Sequence, residues 1–235
     1  VNTVQKQFEE AQERIKSKLV GLFPYTDQIE DAKISQGTNS NLAQVPAFYD
    51  SGTFYYNYFD KPYIKRQIER IHDHAAFHRN HYQGAVNELI KRSEIQNLFW
   101  YPGFVEGWGA YVEYLDFYSS PMDEYGKWEW DLIRSVRVVL DVGINYYGWS
   151  DEQAMVYWKK HIYNQDDIAI REINRMKRWP AQVITYKYGA NAMLKMLEKA
   201  KKSEDFNYAL FHQKLLKHGD IPISILQKIN KELKP

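Results

Sequence analysis

Apolar residues fall at helical spacing from the start of the chain. Val4, Phe8, Ile15, Leu19 and Leu22 lie three, four or seven apart in VNTVQKQFEEAQERIKSKLVGLF. That period lays one apolar stripe along a helix, so a helix is expected over 1–23. It opens without a cap residue or a methionine, which suggests a fragment or a processed product. Residues 24–51, rich in Pro, Asn, Ser and Gly, read as irregular loop. The run Gly52-Thr-Phe-Tyr-Tyr-Asn-Tyr-Phe59 reads as a strand, because β-favouring residues stand between turn formers.

Everything after Pro62 has the pattern of helices. Tyr101-Pro102-Gly103 divides a helix of about residues 63–92 from one opening near Phe104, and Ser119-Ser120-Pro121 is expected to end the second. Ser150 with Gln153 forms a capping box that starts another helix. Trp179-Pro180 starts one at about 181, and Gly219-Asp220-Ile221-Pro222 precedes the last. No repeat or linker divides the chain, so 1–235 is expected to be a single domain, mainly α, with one or two short strands.

Composition narrows the classes. With 31 basic and 30 acidic residues mixed along the length, no basic stripe marks a nucleic-acid surface. No apolar run approaches the ~20 residues of a membrane span. The absence of cysteine removes disulfides and thiolate metal sites. Nineteen tyrosines, eleven phenylalanines and seven tryptophans point to a large aromatic core or cleft.

The chemistry concentrates in Ile71-His-Asp-His-Ala-Ala-Phe-His-Arg-Asn-His-Tyr-Gln83, which holds four of the seven histidines. At ~100° per residue, His74 and His78 lie ~40° apart on a helix and His81 returns to within ~20° of His74. His72 falls on the far side. Two imidazoles four apart is the spacing of helical zinc sites. Zinc hydrolysis also needs a general base for the metal-bound water, in H-E-x-x-H sites the Glu after the first His. Here that position is Ala75, which has no proton chemistry.

Glu106, 28 residues after His78, is a candidate third ligand from a returning helix. Tyr111 and Tyr186 are candidate hydrogen-bond donors to a developing oxyanion. Each has a plainer reading: histidines on amphipathic helices are usually satisfied surface or core residues. Glu106 could be a helix-start carboxylate, and Gly107 and Gly109 could serve close helix packing.

Taken together, the segments resemble a bacterial metallopeptidase-like family known as domain of unknown function 885, whose members resemble gluzincin peptidases. Its pattern is H-E-A-x-P-G-H-H-x-Q, then E-G-W-A-x-Y, D-T-G-L-H-x-x-G-W and W-P-x-Q-x-x-x-Y-K-x-G. This chain has His74-Ala-Ala-Phe-His-Arg-Asn-His-Tyr-Gln83, Glu106-Gly-Trp-Gly-Ala-Tyr111, Asp141-Val-Gly-Ile-Asn-Tyr-Tyr-Gly-Trp149 and Trp179-Pro-Ala-Gln-Val-Ile-Thr-Tyr-Lys-Tyr-Gly189. Gly52-Thr-Phe-Tyr-Tyr-Asn57 fits the strand before the site. Members are usually much longer, so the resemblance makes this chain the C-terminal part.

The resemblance implies a zincin-like fold, a zinc site of His74, His78 and Glu106 with His81 as alternate, and substrate contacts from Gln83, Trp108, Lys187 and Asn145. It also implies an exported protein, periplasmic or lipid-anchored through a segment upstream. The departures are Ala75 for the base, Asn80 for the first His of the H-H pair, Asn145 for the downstream His, and His78-Arg79 for Pro-Gly. Two outcomes stay open: a zinc site rebuilt on His78, or none. The expectation is a catalytically degenerate peptidase-like domain that keeps a cleft for a metal or a peptide. Its rivals are an active peptidase with Glu113 or His81 as base, and a partner-binding module. Residues 53–59 could take a peptide strand by edge addition.

Overall fold

In a computed structural model of the chain, residues 2–39, 47–50, 52–57, 81–115, 118 and 120–232 are described. The fold is mainly helical with a small three-stranded sheet. The first stripe forms α1 (Asn2–Leu19), which ends at Gly21, where φ is +85°. Three strands follow: β1 (Lys33–Gln36), β2 (Ala47–Asp50) and β3 (Thr53–Tyr56).

The loop expected over 24–51 is thus corrected: two short strands interrupt it. They escaped notice because each is only four residues long, too short for alternation to stand out. β3 lies in the middle, parallel to β1 and antiparallel to β2. Edge addition on β3 is therefore closed, since both its edges are taken. Phe54 and Tyr56 turn inward onto Phe8 of α1, with ring centroids 5.1 and 5.4 Å away.

The helices then run α2 (Tyr82–Leu89), α3 (Glu94–Leu98), α4 (Pro102–Val112), α5 (Pro121–Asn145), α6 (Asp151–His161), α7 (Asp166–Arg178), α8 (Ile184–Ala200), α9 (Tyr208–Leu216) and α10 (Ile223–Glu232). The helix expected over 63–92 lies outside the described residues as far as 80. Its described end comes at Leu89, and Ser93 caps α3 with a full capping box that the sequence reading had not used. The Ser119-Ser120-Pro121 signal opens a helix rather than closing one. Ser120 accepts the N–H of Asp123, Pro121 takes the first turn, and α4 has already stopped at Val112. The Ser150–Gln153 box starts α6 as expected. α8 begins at Ile184 rather than 181, because Ala181 sits at φ +65° and forces a turn.

Two cores hold these helices. The larger gathers Ile15, Leu19, Phe23, Trp108, Tyr111, Met193, Leu197, Leu215 and Leu226 from α1, α4, α8, α9 and α10. The second joins Ile133, Leu140, Trp158, Ile173 and Met176 of α5, α6 and α7. α4 and α8 stand between the sheet-side helices and the second core, and the site forms along their crossing.

Candidate functional site

The α4–α8 crossing is set by glycines. A Cβ on Gly107 would lie 2.5 Å from the Cα of Gly189, and one on Gly189 would lie 1.8 Å from the carbonyl oxygen of Gly103. No side chain fits at either position. The two backbones touch, and the residues beside the glycines are pressed together: Glu106 on α4, and Gln182 and Tyr186 at the start of α8.

Glu106 is 2% exposed, where a carboxylate needs polar company. Gln182 Nε2 reaches its Oε1 at 3.4 Å and the Tyr186 hydroxyl at the same distance. Arg175 of α7 closes the group, donating to Gln182 Oε1 at 2.6 Å and to the Tyr186 hydroxyl at 3.3 Å. Arg137 stacks on the Tyr186 ring 5.0 Å from its centroid and pairs with Glu172 at 2.9 Å. Burial pulls the Arg137 guanidinium below its ordinary pKa, and Glu172 opposes that fall. The arrangement is a buried carboxylate with an amide, a phenol and two guanidiniums around it.

Seven residues further along α4, Glu113 meets a different environment. Arg134 grips it with two hydrogen bonds of 2.7 and 2.5 Å, both side chains almost wholly buried. Burial alone would lower the Arg134 pKa, but Glu113 outweighs it and the pKa rises. Beside it Lys187 holds Asp131 at 2.5 Å and the Tyr114 hydroxyl at 3.0 Å. Tyr114 also donates to Asp131. Glu113 is thus committed to Arg134 and badly placed to serve as a base, and Lys187 is committed to Asp131.

The other expected site residues are scattered. Tyr111 donates to His212 Nε2 at 2.7 Å deep in the larger core, since the ring's Nδ1–H goes to the Leu22 carbonyl, and burial pushes the Tyr111 hydroxyl pKa well up. Trp108 is fully buried against Phe23, Tyr111 and His212. Asn145 braces Asp141 (3.2 Å) and the Met176 carbonyl (3.3 Å). Asp141 in turn holds the Ala181 N–H with both oxygens, at 3.0 and 3.1 Å. Gln83 is buried, and neither its amide oxygen nor its nitrogen has a hydrogen-bond partner among the described residues. His81 turns Nδ1 to the Tyr49 hydroxyl at 2.8 Å and Nε2 to the Glu30 carbonyl.

His74, Ala75, His78 and Asn80 lie outside the described residues. Among those described, no three His, Asp or Glu side chains are grouped to hold a metal ion. Glu106 has the chemistry of a zinc ligand. Both ring nitrogens of His81 are engaged, by the Tyr49 hydroxyl and the Glu30 carbonyl.

Sequence reasoning missed Gln182, Arg175, Arg137 and Glu172. Gln182 had a signal, since it stands inside Trp179-Pro-Ala-Gln182. The arginines had only a weak one, a pair of acidic and basic residues three apart on α7.

Next to this cluster opens a cleft of about 420 Å³, lined among the described residues by Arg175, Arg178 and Trp179.

Comparison with known proteins sets these features in a family. Residues 2–229 match the profile described as "Bacterial protein of unknown function (DUF885)". Among curated proteins none matches the chain. A solved structure from Colwellia psychrerythraea, described as a "putative lipoprotein", superposes with a TM-score of 0.82 at 22% identity, over 98% of this chain and 42% of the other. A Shewanella oneidensis protein, a "putative lipoprotein of unknown function", gives 0.76 at 20% identity, over 97% and 45%. The likeness is one of fold, and the chain spans less than half the length of either protein.

Proposed function

The chain belongs to this bacterial family of unknown function, and from that membership and the geometry of the α4–α8 crossing we propose a catalytically degenerate, gluzincin-like domain that binds peptide without hydrolysing it. The observation that carries the reading is Glu106. It is a buried carboxylate flanked by a phenol and a carboxamide on elements locked together by glycines. Such a group is expensive to bury and has no packing purpose that an apolar residue would not serve better. The buried amide of Gln83, without a hydrogen-bond partner among the described residues, adds a second polar group of the same kind.

The reading assigns the loss of hydrolysis to Ala75, which stands where such a site needs a carboxylate base. Zinc, if held, is held by His74, His78 and Glu106, and when bound it supplies Lewis-acid polarisation of a carbonyl. Tyr186 and Gln182 would then orient the peptide carbonyl beside Glu106. Export to the periplasm or a lipid anchor is part of the proposal, supported by the description of both neighbours as lipoproteins. Among the described residues, no helix is long and apolar enough to cross a membrane.

The test is zinc content by mass spectrometry for the unaltered chain and for His74→Ala, with a peptidase assay on both and on Ala75→Glu. About one zinc per chain, lost in His74→Ala, without turnover by the unaltered chain, is expected. Metal-dependent turnover by the unaltered chain sinks the reading, because Ala75 then does not matter.

A further inference from the structure

The cleft beside the Glu106 cluster has a chemistry of its own. It forms at the C-terminal end of α7, where Arg171, Arg175 and Arg178 follow one another at three- and four-residue intervals. One buried carboxylate, Glu172, serves three guanidiniums: Arg137 at 2.9 Å, and Arg171 and Arg175 at 3.7 Å. Among the described residues Arg178 pairs with no carboxylate, and its Nε donates to the Asn174 carbonyl of its own helix at 3.3 Å. The neighbouring Lys177 is paired outward with Asp151 at 2.6 Å. Glu106 also lies within electrostatic reach of Arg175. Among the described groups four guanidiniums (Arg137, Arg171, Arg175 and Arg178) thus face two carboxylates, and positive charge remains in excess where Arg175 and Arg178 line the cleft.

The third wall is aromatic. Trp179 is half exposed and lies 6.0 Å from the ring of Trp100, which is also half exposed. Two guanidiniums beside an indole face suit a planar anion attached to an apolar or aromatic body. Arg175 reaches inward as well, to Gln182 and Tyr186, and through Gln182 to Glu106. A ligand whose anion sits on Arg175 and Arg178 is thus two hydrogen-bonded side chains away from the buried carboxylate.

We propose that this cleft is an anion subsite that takes the free C-terminal carboxylate of a peptide, with the last side chain of the peptide laid against Trp179. The proposal rests on the peptide-binding reading above and adds to it a polarity: the chain end enters toward α7, and the preceding backbone runs toward Glu106. Arg178 supplies the charge, and Arg175 fixes the direction because Gln182 and Tyr186 hold it from behind.

The experiment uses the whole chain, labelled with nitrogen-15. It follows the indole N–H signal of Trp179, assigned with Trp179→Phe, and the side-chain amide of Gln182, assigned with Gln182→Glu. Four probes are titrated: acetyl-Ala-Ala-Phe, its C-terminal amide, benzoate and benzamide. The free-acid tripeptide should shift Trp179 saturably, with the amide binding roughly tenfold or more weakly for want of the charge-assisted bonds. Arg178→Ala, which removes an exposed side chain, should weaken the acid by roughly tenfold, leave the amide unchanged and keep the thermal midpoint.

Equal affinity for acid and amide, or an acid affinity unmoved by Arg178→Ala, overturns the subsite. If both peptides still shift Gln182, the peptide-binding reading outlives it. Benzoate as tight as the tripeptide, with benzamide silent, would leave an anion subsite and remove the peptide from it. No shift at Trp179 with any probe overturns the inference outright.

Discussion

Glu106 and Glu113 stand two turns apart on the same helix, both buried, and they are treated in opposite ways. Glu113 is clamped by Arg134 in two short, parallel hydrogen bonds, and the Lys187–Asp131–Tyr114 group closes over the same end of the crossing. Glu106 meets Gln182 at 3.4 Å, and Arg175 beyond it is spread over an amide, a phenol and a distant carboxylate. The first is a bidentate pair with its geometry satisfied, which fixes α4 on α5. The second has a long contact to Gln182 and leads through it and Arg175 to an open cleft. Glu113 reads as structure and Glu106 as site, although neither differs from the other in sequence context by anything but neighbours.

Several measurements break or sharpen that contrast. The largest effect should come from Arg134→Ala, which leaves Glu113 buried and uncompensated and should cost about 3–5 kcal/mol in urea unfolding. A loss below 1 kcal/mol would mean the clamp is not what holds α4 to α5.

Acid should come next, through His212, another closed polar contact. Burial pushes its pKa down to about 4, although its bond to the Leu22 carbonyl works the other way. The unfolded chain takes up this proton below about 6.5, whereas the folded chain refuses it until about 4. Stability is therefore complete above pH 6.5 and drains away as the pH falls toward 4, by roughly 3 kcal/mol from this residue. Comparing unfolding of the unaltered chain and His212→Gln across that range checks it, and parallel curves would disprove it.

Gly189→Ala should act on both clusters at once by wedging α4 from α8. Overpacking of this kind costs about 1–3 kcal/mol, read as a lower thermal midpoint, and a smaller cost would show that the helices can part. Smallest should be Glu106→Gln, which keeps the shape and removes only the charge. A change within about 1 kcal/mol is expected, alongside lost zinc or peptide binding, and a fall as large as that for Arg134→Ala would erase the distinction between the two carboxylates.

Much of the architecture was legible in the residues, for identifiable reasons. α1 announced itself by its periodicity and α6 by its Ser150–Gln153 capping box. β1 and β2 did not, because four-residue strands leave no period to read, and β1 meets its partner β3 only some way along the chain. Ser119-Ser120-Pro121 was misread since Ser followed by Pro can end one element or begin the next, and only the preceding stop at Val112 decides. Glu106, Gln83 and Tyr186 stand in the motifs as polar residues, and all three are buried. Tyr111 and Trp108 stand in the same motifs, yet lie in the larger core with His212. Motif membership cannot separate a residue that serves the cleft from one that packs behind it. Arg137, Arg175 and Glu172 come together only when α5, α7 and α8 meet, which no local pattern shows.

The turn before α8 stores something as well. Ala181 lies at φ +65°, a region that costs a residue with a Cβ about 1–2 kcal/mol, and the two oxygens of Asp141 keep it there. A glycine would rest in that position, whereas alanine is held in it like a sprung catch. Releasing Asp141 would let the turn relax toward ordinary backbone, carrying Trp179 on one side and Gln182 on the other. The wall of the cleft and the neighbour of Glu106 are thus the two flanks of one strained turn.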